Sequence, residues 1–252
     1  MDPKQDRQSP AIKRPPPQNK RVVANLSREM NGENKDALTS TFGWIDAQIT
    51  QRDRSGIKPL VVLMDGQLSL WEEAKRRFGG ESTVEILDLL HVTSRLWDAA
   101  HVFHSDNCQS QIAFMKDRVL RTLKGEIKTV ISGLRQMATK QKISRSKAKT
   151  LEKACRYLEK NGHRMRYDEY LQKGYPIASG VIEGACRHFV KDRMERAGMR
   201  WSIEGAQAML DVRSTFLNGD WNAFVQYRIN KEITKLYPHR HKIKKIDWPL
   251  AA

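Results

Sequence analysis

The sequence predicts an α/β chain with few strands that is mostly α by residue count. Two short apolar runs end in an acid, in Lys58-Pro-Leu-Val-Val-Leu-Met-Asp65-Gly66-Gln67 and in Thr83-Val-Glu-Ile-Leu-Asp88. Each is too short for a helix and reads as a strand. Most of the remaining chain repeats its apolar residues at helical spacing. Apolar residues make up 39% of the 252, with six Trp and seven Phe, which is enough for a core.

Residues 1–19 are rich in Pro, Gln, Lys and Arg, including Lys13-Arg-Pro-Pro-Pro17, and cannot bury an apolar face, so they read as a disordered lead-in. A helical pattern then runs through Val22, Val23, Leu26 and Met30, and again through Ala37, Leu38, Phe42, Ile45 and Ile49. Asn31-Gly32 is expected to break it into two helices. The run ending at Asp65 is continuous enough for a strand buried on both faces. An acid at the carboxyl end of such a strand stands where open α/β sheets place their ligands, although Asp-Gly is also a common turn. Leu68, Trp71, Ala74 and Phe78 share one face of a helix that Gly79-Gly80 ends.

The run ending at Asp88 reads as a second buried strand leading into a helix that carries Trp97. His101, His104 and Cys108 follow at zinc-like spacing but lack a fourth ligand. From 105 to 172 the pattern is helical. One stripe is Ile112, Val119, Leu120, Leu123, Ile127, Val130, Ile131 and Leu134, and a second is Ala148, Leu151, Ala154, Cys155 and Leu158. Between them Lys140, Lys142, Arg145, Lys147 and Lys149 form an acid-free stretch. It suits a phosphate backbone or a solvated loop.

Pro176, Ser179 and Gly180 are turn and N-cap residues ahead of a helix from Val181 to Arg196. Its apolar positions are Val181, Ile182, Ala185, Phe189, Val190 and Met194. Glu183 lies in its first turn, with Arg187 and Lys191 on the same side. An acid followed by bases suits a metal beside a phosphate, or an ordinary ion-paired surface. Two amphipathic helices, 203–217 and 221–236, are expected to cover the sheet. The tail, 237–252, carries Arg240, Lys242, Lys244 and Lys245.

The run Ser179-Gly-Val-Ile-Glu183-Gly184, with Lys191-Asp-Arg193 and Gly198-Met-Arg-Trp201, resembles the C-terminal acidic motif of bacterial insertion-sequence DDE transposases. The branch is the Kra type, related to the Mutator and ISL groups. Asp88-x-x-His91 is similar to the acid-x-x-His motif of Mutator-like members. The resemblance implies a partial RNase H-like core in two parts, 20–104 and 173–236, separated by a helical insertion at 105–172. It makes Asp65 and Glu183 catalytic metal ligands for two Mg²⁺ (or Mn²⁺) ions, with Asp88, His91, Arg187 and Lys191 as accessory residues. Transposon-end and target DNA would be the partner, in a bacterial, nucleoid-associated cytoplasmic protein that could be a homodimer. Arg193 and the bases at 140, 142, 145, 147, 242, 244 and 245 are the expected DNA contacts.

Charge agrees with a polyanionic partner, since 45 Lys and Arg against 29 Asp and Glu leave a net +16. Three widely spaced cysteines read as reduced thiols. No apolar run approaches the roughly 18 residues of a membrane span. A DDE centre needs three carboxylates around two cations about 3.5–4 Å apart. Upstream of Pro59 no acid ends a strand-like run, so the expectation is the C-terminal piece of a transposase without its first catalytic Asp. The competing expectation is a basic helical DNA- or RNA-binding protein without chemistry.

Overall fold

The computed structural model describes residues 17–30, 32–80, 82–105, 108–196 and 198–238. They divide into two compact units, 25–200 and a smaller one made of 17–24 with 201–238. Helices dominate both, and the described strands form two small sheets.

The larger unit opens with a hairpin where the sequence pattern suggests a helix. β1 (Arg28–Met30) pairs antiparallel with β2 (Glu33–Lys35), Met30 opposite Glu33. Gly32 has φ +78°, the left-handed backbone that hairpin turns favour and glycine adopts without strain. Val22, Val23 and Leu26 therefore lie on chain without regular structure. α1 (Ala37–Arg52) starts where Asp36 accepts from the Thr39 amide at 2.8 Å, and its buried Phe42 stacks on Phe78 at 5.8 Å.

β3 (Leu60–Met64), α2 (Leu68–Phe78) and β4 (Thr83–Leu87) form a β-α-β unit. The strands run parallel, Leu60 opposite Thr83 and Met64 opposite Leu87, as a helical crossover allows. α2 turns Trp71 and Ala74 inward and leaves Leu68 exposed. β3 is half-buried along its whole length, which corrects the expectation of a strand covered on both faces. Among the described residues its sheet has no third strand, so one edge of each strand lacks a partner strand. On β4 that edge is used. Tyr167 Oη donates to Leu87 O at 2.7 Å and Tyr170 Oη to Glu85 O at 3.1 Å, while Arg164 bonds the Glu85 carboxylate at 2.6 Å.

Helices α3 (Leu89–Phe103), α4 (Gln109–Leu123), α5 (Ile127–Lys140), α6 (Arg145–Asn161) and α7 (Tyr167–Gln172) follow. α3 packs on α4 and α6, and α5 on α6. Their apolar faces join Trp71, Ile86 and Leu87 in one core, so residues 105–172 share the core of the strands. Leu134 and Leu158 are fully buried, and truncating either to Ala costs about 2–5 kcal/mol. On α4 the buried side is Gln111, Phe114, Met115 and Thr122, whereas Ile112 and Leu120 are half exposed. That takes Ile112 and Leu120 off the predicted stripe, while Val119 and Leu123 pack against the core and Ile127, Val130, Ile131 and Leu134 are buried as expected. The polar Gln111 and Thr122 disguised the inward face.

The segment from Gly180 is helical but not one regular helix. α8 (Gly180–Ala185) passes into a π-helical stretch (Cys186–Lys191) and then α9 (Asp192–Met194). Phe189 is its single buried residue, and Val181 and Ile182 are exposed, so the predicted apolar face is not a core face.

The smaller unit holds α10 (Ile203–Leu217) and α11 (Trp221–Leu236), with the bounds the periodicity predicts. They fold with residues 17–24 as one compact unit. Asn218 binds both backbone polar groups of Val22, at 2.8 and 3.0 Å, and Gln207 Nε2 donates to Ala24 O at 3.1 Å. No helix among the described residues is long and apolar enough to cross a membrane.

Candidate active site at the ends of the parallel strands

In-register pairing carries Asp65 and Asp88 off the carboxyl ends of adjacent strands, and the Asp88 amide still donates to Met64 O at 2.8 Å. Asp65 is half-buried. Its Oδ1 accepts from the Gln67 amide at 2.8 Å, closing a side-chain turn, and its carbonyl accepts from Trp71 Nε1 at 2.6 Å. Gly66 is required here by space, because a Cβ would stand 2.4 Å from Tyr157 Cε2. Tyr157 comes from α6, and Arg95 of α3 lies over its ring at 5.0 Å. Burial pushes the Tyr157 phenol up. Arg95 and the Gly66 amide oppose the shift, and the Asp65 and Asp88 charges add to it. One neutral phenol thus feels both strand-end acids.

Asp88 is almost fully buried, and a buried carboxylate must be hydrogen-bonded. It caps α3 by accepting from the Leu90 amide at 3.1 Å. It also accepts from the Ser179 amide at 3.1 Å and, through its other oxygen, from the Ser179 hydroxyl. Beside them the Leu89 amide donates to Ile177 O at 2.9 Å. The segment that launches α8 is therefore strapped to the start of α3. Ser179, read from the sequence as a helix cap, spends its side chain on Asp88 and makes no side-chain cap on α8. His91, one turn into α3, brings Nε2 within 3.8 Å of Asp88.

From that anchor the helical segment borders an open groove of about 690 Å³ lined by His91, Ser179, Glu183, Cys186, Arg187 and Lys191, among others. Glu183 is exposed on it, and Arg187 and Lys191 share its side as the spacing predicts. A contact of His188 Nδ1 with the Asp192 carboxylate (3.0 Å) and an ion pair of Lys191 with Glu195 (3.8 Å) follow along the segment. Asp65 does not line this groove, and neither does Arg193, which is exposed on α9. Lys140, Lys142, Arg145 and Lys147 are exposed where α5 ends and α6 begins. Lys242, Lys244 and Lys245 lie outside the described residues, as does most of the 1–19 lead-in.

Two cations would need several carboxylate oxygens free and converging. Asp65 turns one oxygen onto Gln67, and both Asp88 oxygens are engaged by Ser179 or Leu90. Among the described residues no three His, Cys, Asp or Glu come together as a metal-binding group. Asp65 and Glu183 thus have no third ligand among the described residues that completes the two-ion set the resemblance implies. The zinc-like spacing also dissolves. His101 packs on Trp97 at 5.9 Å, and His104 and Cys108 both contact Ser110, at 3.2 and 3.1 Å.

Tyr157 and Arg95 carried no signal in the sequence, because only the packing of α6 on α3 brings them to Asp65. No family model matches the chain, and no curated protein or solved structure matches it significantly.

Proposed function

We propose that this chain is a DNA-handling protein of the DDE transposase type, built on a partial RNase H-like core. In this reading Asp65 and Glu183 are carboxylates of a strand-transfer centre, and Asp88 is the residue that positions them. One observation carries it. Asp65 and Asp88 leave adjacent parallel strands at their carboxyl ends, and the Glu183 segment is strapped to Asp88 through Ser179. Ligand sites of open α/β sheets form at that end. The π-helical stretch after Glu183 is of a kind often found at functional sites, and it holds Arg187 and Lys191 on the groove beside the acid.

Phosphoryl transfer depends on positioned charge, so a centre whose carboxylates do not converge should fall short by orders of magnitude. The chain by itself is therefore expected to bind duplex DNA at low salt and to leave it uncut with Mg²⁺ or Mn²⁺. Supplying a further strand that ends in Asp should restore metal-dependent cleavage, and Glu183→Gln or Asp65→Asn should remove it again. Strong cleavage by the chain alone, unaffected by either substitution, would overturn the assignment of these two acids.

A second reading, a basic helical nucleic-acid-binding protein without chemistry, is favoured by the net charge of +16 and the run of helices from α3 to α7. It requires that no added strand restores cleavage while DNA binding persists.

A further inference from the structure

α6 segregates its charges. At 3.6 residues per turn, Arg145, Lys149, Lys153, Arg156 and Lys160 fall within an arc of about 80°. That arc lies opposite the buried Leu151, Ala154, Cys155 and Leu158, and all five bases are exposed. The two acids of the helix, Glu152 and Glu159, stand beside the arc. Arg135 of α5 takes both, through Nη2 at 3.0 Å to Glu152 and 2.9 Å to Glu159. That guanidinium holds both carboxyls below their usual range. Arg156 also bonds Glu152, at 3.0 Å. Arg145, Lys149, Lys153 and Lys160 form no ion pair among the described residues. Arg135 of α5 and Arg156 thus pair both acids of α6, and Arg145, Lys149, Lys153 and Lys160 leave its outer side cationic.

We propose that this outer side of α6 is a track for the phosphate backbone of duplex DNA. The proposal rests on the DNA-handling reading above but not on its strand-transfer chemistry. From Arg145 to Lys160 the track is about 22 Å long, at a rise of about 1.5 Å per residue. Duplex DNA presents one negative charge per ~1.7 Å of its axis, so a fixed row of cations of this length meets a dense field of negative charge. Ser146 and Thr150 are exposed beside the arc of bases, and such hydroxyls suit phosphate oxygens. No aromatic side chain is exposed among them, so the track lacks the stacking platforms that single strands use. The opposite face of α6 is core, which keeps the row in place before DNA arrives.

The test compares the full chain with a Lys149→Ala/Lys153→Ala/Lys160→Ala variant. Anisotropy of a labelled 25-base-pair duplex is measured across a salt series. Alanine at exposed helix positions favours the helix, and circular dichroism checks the fold. Each phosphate contact contributes about 0.9 to the slope of log K against log salt. The triple variant is therefore expected to lose up to about 2.7 of that slope and at least tenfold in low-salt affinity. A control of equal charge, Lys124→Ala/Lys128→Ala/Lys173→Ala, should bind as the unaltered chain does.

Equal losses in both variants would mean diffuse attraction and would overturn the track. A triple variant that binds like the unaltered chain would also overturn it, leaving the DNA-handling reading intact. No binding by the unaltered chain at low salt would end both. Single-stranded RNA of equal length that displaces the duplex at lower concentration would overturn the choice of duplex DNA.

Discussion

Asp88 and Ser179 stand 91 residues apart and meet through two hydrogen bonds, from the Ser179 amide and from its hydroxyl to opposite oxygens of the buried carboxylate. This contact fixes where the Glu183 segment leaves the core. It also engages both oxygens of that carboxylate with protein donors.

Ser179→Ala should destabilise the larger unit by about 1.5–3 kcal/mol, the usual worth of a hydrogen bond to a charged group. Asp88→Asn should cost a similar amount, because an amide cannot accept from all three donors. Urea unfolding of both single variants and the double should give a coupling of at least about 1 kcal/mol. Additive effects would show that the two side chains do not act on each other.

Gly66 is closed off by Tyr157, whose ring atom Cε2 lies 2.4 Å from where a Cβ would stand. Gly66→Ala should therefore cost about 1–3 kcal/mol through overpacking. Tyr157→Leu in the same chain should recover most of that loss by removing the ring. The readout is the urea midpoint. An unchanged midpoint for Gly66→Ala would mean that Tyr157 moves aside freely.

The α5–α6 contact should weaken in acid. Arg135 holds Glu152 and Glu159 below the ordinary carboxyl value of 4.5. Their contribution is complete above that value and lost as pH falls through the lower folded-state values. Arg135→Gln should lower Tm at pH 7 and lower it less at an acid pH well under 4.5. The effect should be modest, because the acids are exposed and screened. Equal shifts at both pH values would assign the role of Arg135 to packing instead of charge.

The local elements were legible wherever period and punctuation agreed. α2 stops before Gly79-Gly80, and α10 and α11 match their apolar periods. The hairpin was not legible, because Val22, Val23, Leu26 and Met30 happen to repeat at helical spacing. Asn31-Gly32 breaks a helix and turns a hairpin equally well. The inward face of α4 was missed because two of its buried residues, Gln111 and Thr122, are polar.

By itself the sequence determined the two acid-ended strands, the long helices, and the grouping of Glu183, Arg187 and Lys191 on one side of their segment. Each depends on residues within a few turns of one another, so local spacing is enough. The tertiary structure alone decided that Asp88 takes Ser179, that Tyr157 covers Gly66 beside Asp65, and that Arg135 bonds both acids of α6. It also decided that Asp65 stays off the groove that Glu183 lines. These are contacts between groups far apart along the chain. Their geometry is set by how whole helices pack on the strands, which no local pattern of residues encodes.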